Sequence, residues 1–246
     1  MNQVIKAVLP AALLAISAVS HAETSDGKTV AVSTGWAHIM PQGKAQGVAT
    51  KGLPFNSTSG FELEDADTAE LKLDYLVDDN VSLGLILGAP PKLDIQGKGS
   101  LLKGILPNGL DINKKVGDVK VYSPVLTGKY TFGPVNSRLR PYIGAGLMYA
   151  HFSNFKLDSS VENDPTLQAL HGTIQNVKID DTIAPVAFVG ADYNINSNWF
   201  ATASVSYVHL STHAKLDVVT PQGTLTGSSK IEINPIVTYL GLGYRF

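Results

Sequence analysis

The side chains that could perform chemistry are few in this sequence, and they are not grouped as a catalyst needs them. His209 and His213 share one face of a candidate strand and could contact one metal ion, but no third ligand accompanies them. By their place in the strand pattern both histidines face water. The sequence contains neither the glycine-framed serine of a hydrolase turn nor a glycine-rich phosphate loop. We therefore predict that the chain is not an enzyme and binds neither a metal nor a cofactor.

The elements that must position these side chains are β-strands. Hydrophobic and polar residues alternate with a period of two through most of the chain, and no long segment has the period of a helix. Tight turns such as Asp78-Asp79-Asn80 alternate with longer links at about 39–65, 90–117 and 156–181. This alternation, with an even number of strands, is typical of an all-β, antiparallel outer-membrane barrel. The pattern predicts eight strands, at about 29–38, 66–77, 81–89, 118–132, 140–155, 182–194, 199–218 and 228–246.

The two faces of the predicted strands differ in polarity, and the spacing of aromatic residues indicates which face is outside. Leu71 and Leu73 share one face of the second strand, whereas Lys72 lies on the other. Trp199 and Tyr207 lie eight residues apart on the apolar face of the seventh strand. Eight residues of a tilted strand rise roughly 20 Å, which is near the distance between the two aromatic girdles of a membrane barrel. We therefore expect the apolar faces to contact lipid.

The end of the chain carries a second sign of a membrane barrel. Residues 239–246 place Leu240, Leu242, Tyr244 and Phe246 on one face and finish on this phenylalanine. This octapeptide resembles the signal by which the barrel-assembly machinery recognises outer-membrane clients. We predict that this machinery is a partner during biogenesis and that it reads four residues, namely Tyr239, Gly241, Tyr244 and Phe246.

Charged residues on the inward face of the membrane-spanning part predict a plugged lumen. Eight strands leave room for side chains or one small ligand and not for an aqueous channel, so a porin for hydrophilic solutes is disfavoured. We expect these charges to pair and fill the lumen. They are Lys72, Asp74, Lys129, Arg140, Asp192 and Arg245.

The polarity pattern reverses in the extracellular part of several strands. Beyond Tyr207 the outward positions become polar, as at His209 and Lys215, while the inward positions become apolar. A strand cannot exchange its faces without a bulge, so we infer that its surroundings change from lipid to water instead. The extension would then have an apolar interior, which is a candidate binding site, although a packed core that only stiffens the extension would give the same pattern. The lining residues predicted from this pattern are Val119, Val121, Val208, Leu210, Leu216, Val218, Ile231 and Ile233.

Three prolines interrupt the predicted wall near this reversal. Pro124, Pro185 and Pro235 lie within strands, toward their extracellular ends. Proline cannot donate a hydrogen bond to a ladder, and a closed barrel has no edge strand to hold it. We expect these positions to mark a lateral opening, although each proline alone is also compatible with a harmless bulge.

The N-terminus predicts export. Lys6 precedes a short apolar run, and Ser20-His21-Ala22 places small residues where a signal peptidase requires them. We predict a cleaved signal peptide at residues 1–22 and a single barrel domain at 23–246. The chain has no cysteine and a formal net charge of −2, so neither disulfides nor a nucleic-acid partner is expected.

Three segments together resemble the outer-membrane protein W (OmpW) family over essentially the whole mature chain. They are Thr68 to Pro90, Arg140 to Gly146, and Lys230 to Pro235 running into the terminal Gly-Tyr-Arg-Phe. The resemblance implies an eight-stranded barrel with an apolar extracellular channel that passes small hydrophobic molecules sideways into the membrane. The family often has a tryptophan near the start of the sixth strand, at the base of the channel. This chain has Ile183 there, so the resemblance implies that Ile183 lines the channel and that an aromatic gate is not expected.

Pattern and resemblance together predict an integral outer-membrane protein of a Gram-negative bacterium, in contact with lipid and with a small hydrophobic ligand. The alternative is a structural or interaction barrel whose polar loops meet a partner and which transports nothing. An open apolar tunnel that reaches the wall would favour transport, whereas a dry packed core would favour structure.

Overall fold

The computed structural model describes most of the chain after the predicted leader. The leader itself, residues 1–22, lies outside the described residues. So do parts of the three long links that the sequence pattern predicted. The described ranges are 23–44, 46–50, 55–57, 59–101, 110–165, 168, 173–221 and 223–246.

The described residues form mostly strands and include the short helix α1 (Ser159–Glu162), and within them no helix is long and apolar enough to cross a membrane. The strands are β1 (Val30–Met40), β2 (Ala49–Thr50), β3 (Gly60–Leu63), β4 (Ala66–Leu76), β5 (Val81–Gly88), β6 (Lys92–Lys98), β7 (Ser100–Leu101), β8 (Leu110–Asp111), β9 (Lys115–Tyr122), β10 (Val125–Thr131), β11 (Leu139–Leu157), β12 (Thr173–Ile179), β13 (Thr182–Asn194), β14 (Trp199–Val208), β15 (Ser211–Thr220), β16 (Gly223–Glu232) and β17 (Ile236–Arg245).

Eight of these strands close into a ring, which confirms the predicted fold. The order around the ring is β10-β5-β4-β1-β17-β14-β13-β11, and the pairing of β10 with β11 completes it. Every pairing is antiparallel. The first and last strands pair from Ala31 opposite Arg245 to Met40 opposite Ile236, so the closure involves the predicted terminal segment.

Three of the eight predicted strands are each divided in two. The breaks fall at Ser123-Pro124, at His209-Leu210 and at residues 233–235, where Asn234 adopts a positive φ of 39°. The faces are nevertheless kept across each break: Val121 and Val125 are both buried, on either side of the first one. The reversal of polarity in the sequence therefore reflects a change of surroundings and not an exchange of faces.

Above the membrane the wall continues as two four-stranded sheets. One consists of the extracellular part of β11 with β9, β6 and β3, and we call it the first sheet. The other, the second sheet, has the order β12-β15-β16-β2. The main hydrophobic cluster of the molecule lies between these two sheets and extends down to the top of the barrel.

Candidate functional site

The outer surface of the ring is an apolar band with an aromatic rim at each edge. Leu126, Ile143 and Leu240 of the band are each more than half exposed, a degree of exposure that a soluble monomer avoids over so wide an area. Trp36 and Tyr207 belong to the extracellular rim. The opposite rim includes Tyr130, Phe132, Tyr193, Trp199 and Phe246. This surface is suited to lipid and not to water.

The lumen inside the band is filled by paired charges. The Lys129 ammonium lies 2.9 Å from an Asp74 carboxylate oxygen, and the Arg245 guanidinium lies 3.2 Å from Asp192. All four side chains are largely buried, so each charge depends on its partner for compensation. A void of about 60 Å³ remains in the lumen, and its lining includes Asp74, Lys129 and Asp192.

The other two residues of the predicted plug also lie in the lumen. Lys72 places its ammonium 3.5 Å from the centre of the Tyr239 ring and 3.4 Å from the Ser204 hydroxyl. Arg140 donates hydrogen bonds to the backbone carbonyls of Asp79 and Gly133 near the periplasmic turns. Tyr239 was not predicted to be a lumen residue, although it has the same inward parity as Arg245.

The terminal aromatics divide between the two faces of β17. Tyr239 is buried in the lumen, and Gly241 lies beneath it, where a Cβ would come within 2.3 Å of the tyrosine hydroxyl. Tyr244 contacts Trp199 and Phe246 on the outer face, with ring centroids 5.1 and 4.8 Å apart. These four residues remain predicted as the assembly signal.

An enclosed apolar cavity of about 70 Å³ lies above the lumen, between the two extracellular sheets. Three predicted lining residues, Leu216, Val218 and Ile231, contact it directly. Such a cavity is large enough for more than one water molecule, but apolar walls of this kind leave it dry and favour apolar guests. Five further predicted residues are buried in the surrounding hydrophobic cluster: Val119, Val121, Val208, Leu210 and Ile233.

The assignment of Ile183 to the lining is wrong. Its side chain is 68% exposed, and it lies opposite Tyr149 on the outer surface. Strand β13 keeps odd-numbered residues outward along its whole length, so an isoleucine at this position contacts the membrane interface and not the cavity.

Much of the cavity wall comes from residues that the sequence analysis left within loops. β6, β9 and α1 contribute Ile95, Val116 and Val161, and β3 contributes Phe61. The alternation of Leu93, Ile95 and Gly97 with polar neighbours was a visible signal for β6. Further lining residues from these links are Ile112, Leu157 and Ile174, and Phe155 comes from the end of the fifth predicted strand.

A gap separates the two sheets on one side of the extension, and we call it the β11/β12 seam. The ladder between β11 and β13 ends at Ala150 opposite Thr182. Above that pair β11 bonds to β9 and β12 bonds to β15, and no backbone hydrogen bond joins β11 to β12 among the described residues. The seam holds a pocket of about 510 Å³, and it shares Phe155, Val177 and Ile179 with the enclosed cavity.

The three prolines predicted to mark an opening lie where hydrogen bonding continues through their carbonyl groups. Pro124, Pro185 and Pro235 accept from the backbone N–H groups of Tyr149, His209 and Val208, each at 3.0 Å. The wall is therefore bonded beside each proline, whereas the β11/β12 seam is not.

The two histidines of the seventh predicted strand are exposed on the outer surface. Within the described ranges, no three histidine, aspartate or glutamate side chains are arranged to hold a metal ion.

A closed eight-stranded ring with a lipid-facing apolar band, a charged lumen and an apolar extracellular cavity defines a small integral β-barrel of the bacterial outer membrane. The model of the OmpW family matches residues 26–246, and the chain belongs to that family. Its place is the outer membrane of a Gram-negative bacterium, in contact with the bilayer.

Individual relatives agree with this assignment. The chain is 30% identical to outer membrane protein W of Vibrio cholerae serotype O1 over 87% of each chain. It is 25% identical over 76% of each chain to a Pseudomonas aeruginosa protein named dibenzothiophene metabolism operon protein PahQ. The crystal structure of the outer membrane protein OprG from Pseudomonas aeruginosa superposes with a TM-score of 0.72, at 21% identity, over 89% of this chain and 96% of OprG. This last likeness concerns the fold alone.

Proposed function

We propose that this barrel takes up small hydrophobic molecules into its extracellular cavity and releases them sideways into the bilayer. The observation that carries the proposal is the position of the enclosed apolar cavity. It lies above a lumen filled with charges and is separated from an open seam in the wall by Phe155, Val177 and Ile179.

The direction of release follows from the cost of the alternatives. A hydrophobic molecule that moved down the barrel would have to separate Lys129 from Asp74 and Arg245 from Asp192 without replacing their interactions, and unpaired buried charges are strongly destabilising. Exit through the seam displaces three apolar side chains and leads to the lipid interface. Each apolar group transferred from water gains roughly 25 cal/mol per Å² of buried surface, so lipid is the favourable destination.

We place the side opening at the β11/β12 seam because the ladder is interrupted there. Pro124 and Pro235 keep a part in the proposal as sites where the wall leaves the membrane ring and turns into the two sheets. Pro185 lies within β13, where the ladder with β11 continues. The name of the PahQ relative, which assigns that protein to a dibenzothiophene metabolism operon, supports an apolar aromatic substrate class.

A structural or interaction barrel is the second candidate, and the small size of the cavity favours it. A space of about 70 Å³ is less than an aromatic hydrocarbon needs, so a transporting protein must open further as the ligand enters. If the cavity never opens, the extension is a packed core that presents polar loops to a partner.

The decisive experiment compares hydrophobe uptake with an altered cavity. Ile231 lines the cavity, whereas Thr224 of the same strand is exposed on the outside. Uptake of naphthalene into outer-membrane vesicles should be faster with the refolded protein than without it. The Ile231→Asp variant should lose at least nine-tenths of this increase, because a carboxylate in an apolar cavity retains water and lowers the gain from burying an apolar guest. The Thr224→Asp variant should behave as the unaltered protein does.

Two results would point to the structural barrel instead. One is no acceleration by the unaltered, folded protein. The other is equal uptake by Ile231→Asp and Thr224→Asp when both are shown to be inserted.

A further inference from the structure

Two side-chain units of the same design lie on the outer surface at the extracellular edge of the membrane band. In the first, which we call the Asp67 unit, the Trp36 indole N–H donates to Asp67 at 3.0 Å and His38 Nδ1 lies 2.8 Å from the same carboxylate oxygen. The two rings stack with centroids 5.7 Å apart and an interplanar angle of 24°. Trp36 and His38 are separated by one residue, so both point outward from β1.

The second unit, the Asp181 unit, repeats the pattern on another strand. The Tyr149 hydroxyl donates to Asp181 at 2.8 Å, and His151 Nδ1 lies 2.9 Å from both oxygens of that carboxylate. The tyrosine and histidine rings are 6.5 Å apart and nearly parallel, at 10°. Again an aromatic and a histidine lie two positions apart on one strand, and an aspartate of the neighbouring strand segment bonds to both.

Each unit lies where two neighbouring strands of the ring separate. The ladder between β1 and β4 ends at Ile39 opposite Ala66, one position above the pair of His38 with Asp67. The ladder between β11 and β13 ends at Ala150 opposite Thr182, immediately below His151 and Asp181. In the ring order these two pairs of strands are four positions apart, so the units lie on opposite sides of the barrel.

The wall above the two units differs. Above the Asp67 unit, Val48 and Asn56 exchange two backbone hydrogen bonds of 2.9 and 3.0 Å. Above the Asp181 unit the β11/β12 seam is open, and the Asp180 N–H bonds to the His213 carbonyl of the second sheet. Asp180 is therefore bonded to the second sheet, whereas its neighbour Asp181 is bonded to β11 of the first sheet through His151.

We propose that Asp181 is a positioning residue for release: by binding His151 and Tyr149 it holds the lower end of the β11/β12 seam and limits how far the seam opens toward the membrane. This inference rests on the proposed function and assigns to one carboxylate the control of the exit. Asp181 is well placed to act in this way, because the last pair of a ladder is the first to open when no side chain holds it.

Control of the exit width predicts an effect that depends on ligand size. Without the Asp181 bonds, the ladder below Ala150 and Thr182 opens from its end and the seam lengthens toward the lipid. A wider exit accelerates a bulky ligand more than a slim one, whereas a general loss of structure slows both. The Asp67 unit has the same chemistry beneath a bridged wall, so it supplies the matched control.

The test measures the seam and the selectivity in the same variants. The chain has no cysteine, so Lys156→Cys on β11 and Lys178→Cys on β12 provide two sites for spin labels across the seam. In bilayers, Asp181→Ala should move the label–label distance distribution to longer values and should raise the ratio of pyrene to naphthalene uptake at least twofold. Asp67→Ala should leave both unchanged. Tyr149→Phe, which removes one hydroxyl, should shift the distance in the same direction by less.

The outcomes separate this inference from the proposed function. Unchanged distances in Asp181→Ala and Tyr149→Phe, or an equal shift in Asp67→Ala, would overturn the role of Asp181 whatever the uptake. If the unaltered protein accelerates no uptake, the proposed function fails, and the distance measurement still decides whether Asp181 holds the seam. A longer distance with an unchanged uptake ratio would show that Asp181 holds the wall without controlling the exit, which also contradicts the inference.

Discussion

Removing one partner of the lumen pair Asp74–Lys129 should destabilise the barrel without affecting the uptake of hydrophobic molecules. The two charged atoms are 2.9 Å apart and both side chains are about 15% exposed or less. Removing one member of such a pair costs about 3–5 kcal/mol, because the other charge remains buried and uncompensated. Lys129 retains a weaker attraction to Asp192 and a ring contact with Tyr142 at 5.1 Å. We therefore expect Asp74→Asn to lower the free energy of unfolding by about 3 kcal/mol, at the low end of that range.

Urea unfolding in lipid vesicles measures this change, since Trp36 and Trp199 lie in the two aromatic rims and report on their exposure to lipid. The double variant Asp74→Asn with Lys129→Met should recover to within about 1 kcal/mol of the unaltered protein, because it leaves no charge unpaired. A loss below about 1 kcal/mol in the single variant would refute the argument that these charges depend on each other. Faster naphthalene uptake in the single variant would refute sideways release, since only a route through the lumen passes this pair.

Two further predictions concern the seam. Phe155→Ala removes one of three side chains between the cavity and the seam pocket, so naphthalene uptake should rise several-fold. The control variant Phe132→Ala, in the lipid-facing rim, should leave uptake unchanged. No rise in a folded Phe155→Ala variant would mean that Phe155 does not obstruct the path. Desolvation raises the pKa of the Asp181 carboxyl at the extracellular surface, but hydrogen bonds from His151 and Tyr149 outweigh it and the pKa lies below its ordinary value of 3.8. Because the pKa of Asp181 is lowered, the tie is complete above pH 3.8 and is lost as the pH falls through that lowered pKa. The label distance across the seam should therefore be constant down to about pH 4 and lengthen in stronger acid.

The barrel itself could be predicted from the sequence because its signals are local. Strand positions follow from a period of two, and the sides follow from aromatic residues such as Trp199 and Tyr207 that recur at the spacing of the bilayer. The prediction that faces are kept beyond Tyr207 is confirmed, since Val208 and Thr212 are both buried on either side of the break between β14 and β15.

The extracellular half of the barrel was harder to predict from the sequence, for two physical reasons. β6 is short, and its apolar residues Leu93 and Ile95 stand among charged ones, so the segment resembles a polar link until its partner β9 is known. Ile183 was misplaced because the resemblance located it beside the channel, whereas the uninterrupted parity of β13 directs it outward. A local pattern fixes the face of a residue more reliably than a position borrowed from relatives.

The seam could not be predicted, because it consists of hydrogen bonds that are not made. The alternation of polar and apolar residues along β11 and β12 indicates that both are strands, but it does not indicate which neighbouring strand each one pairs with. The Asp181 unit is different, since Trp36-Ala37-His38 and Tyr149-Ala150-His151 repeat one pattern in the sequence. That repeat was a usable signal, but its meaning depends on the aspartates, which lie about thirty residues away.

The need for an apolar cavity and the existence of a side opening have one geometrical cause. A closed ring of eight strands is too narrow to hold a ligand beside its own side chains, so the membrane-spanning part is filled with paired charges. Room for a guest appears only where the ring divides into two four-stranded sheets that move apart, and the division leaves an unpaired strand edge on each sheet. On one side Val48 and Asn56 bridge the edges, and on the other the β11/β12 seam stays open. The division that creates the cavity therefore also creates its exit, immediately above the membrane band, where an apolar ligand reaches lipid without crossing the charged lumen.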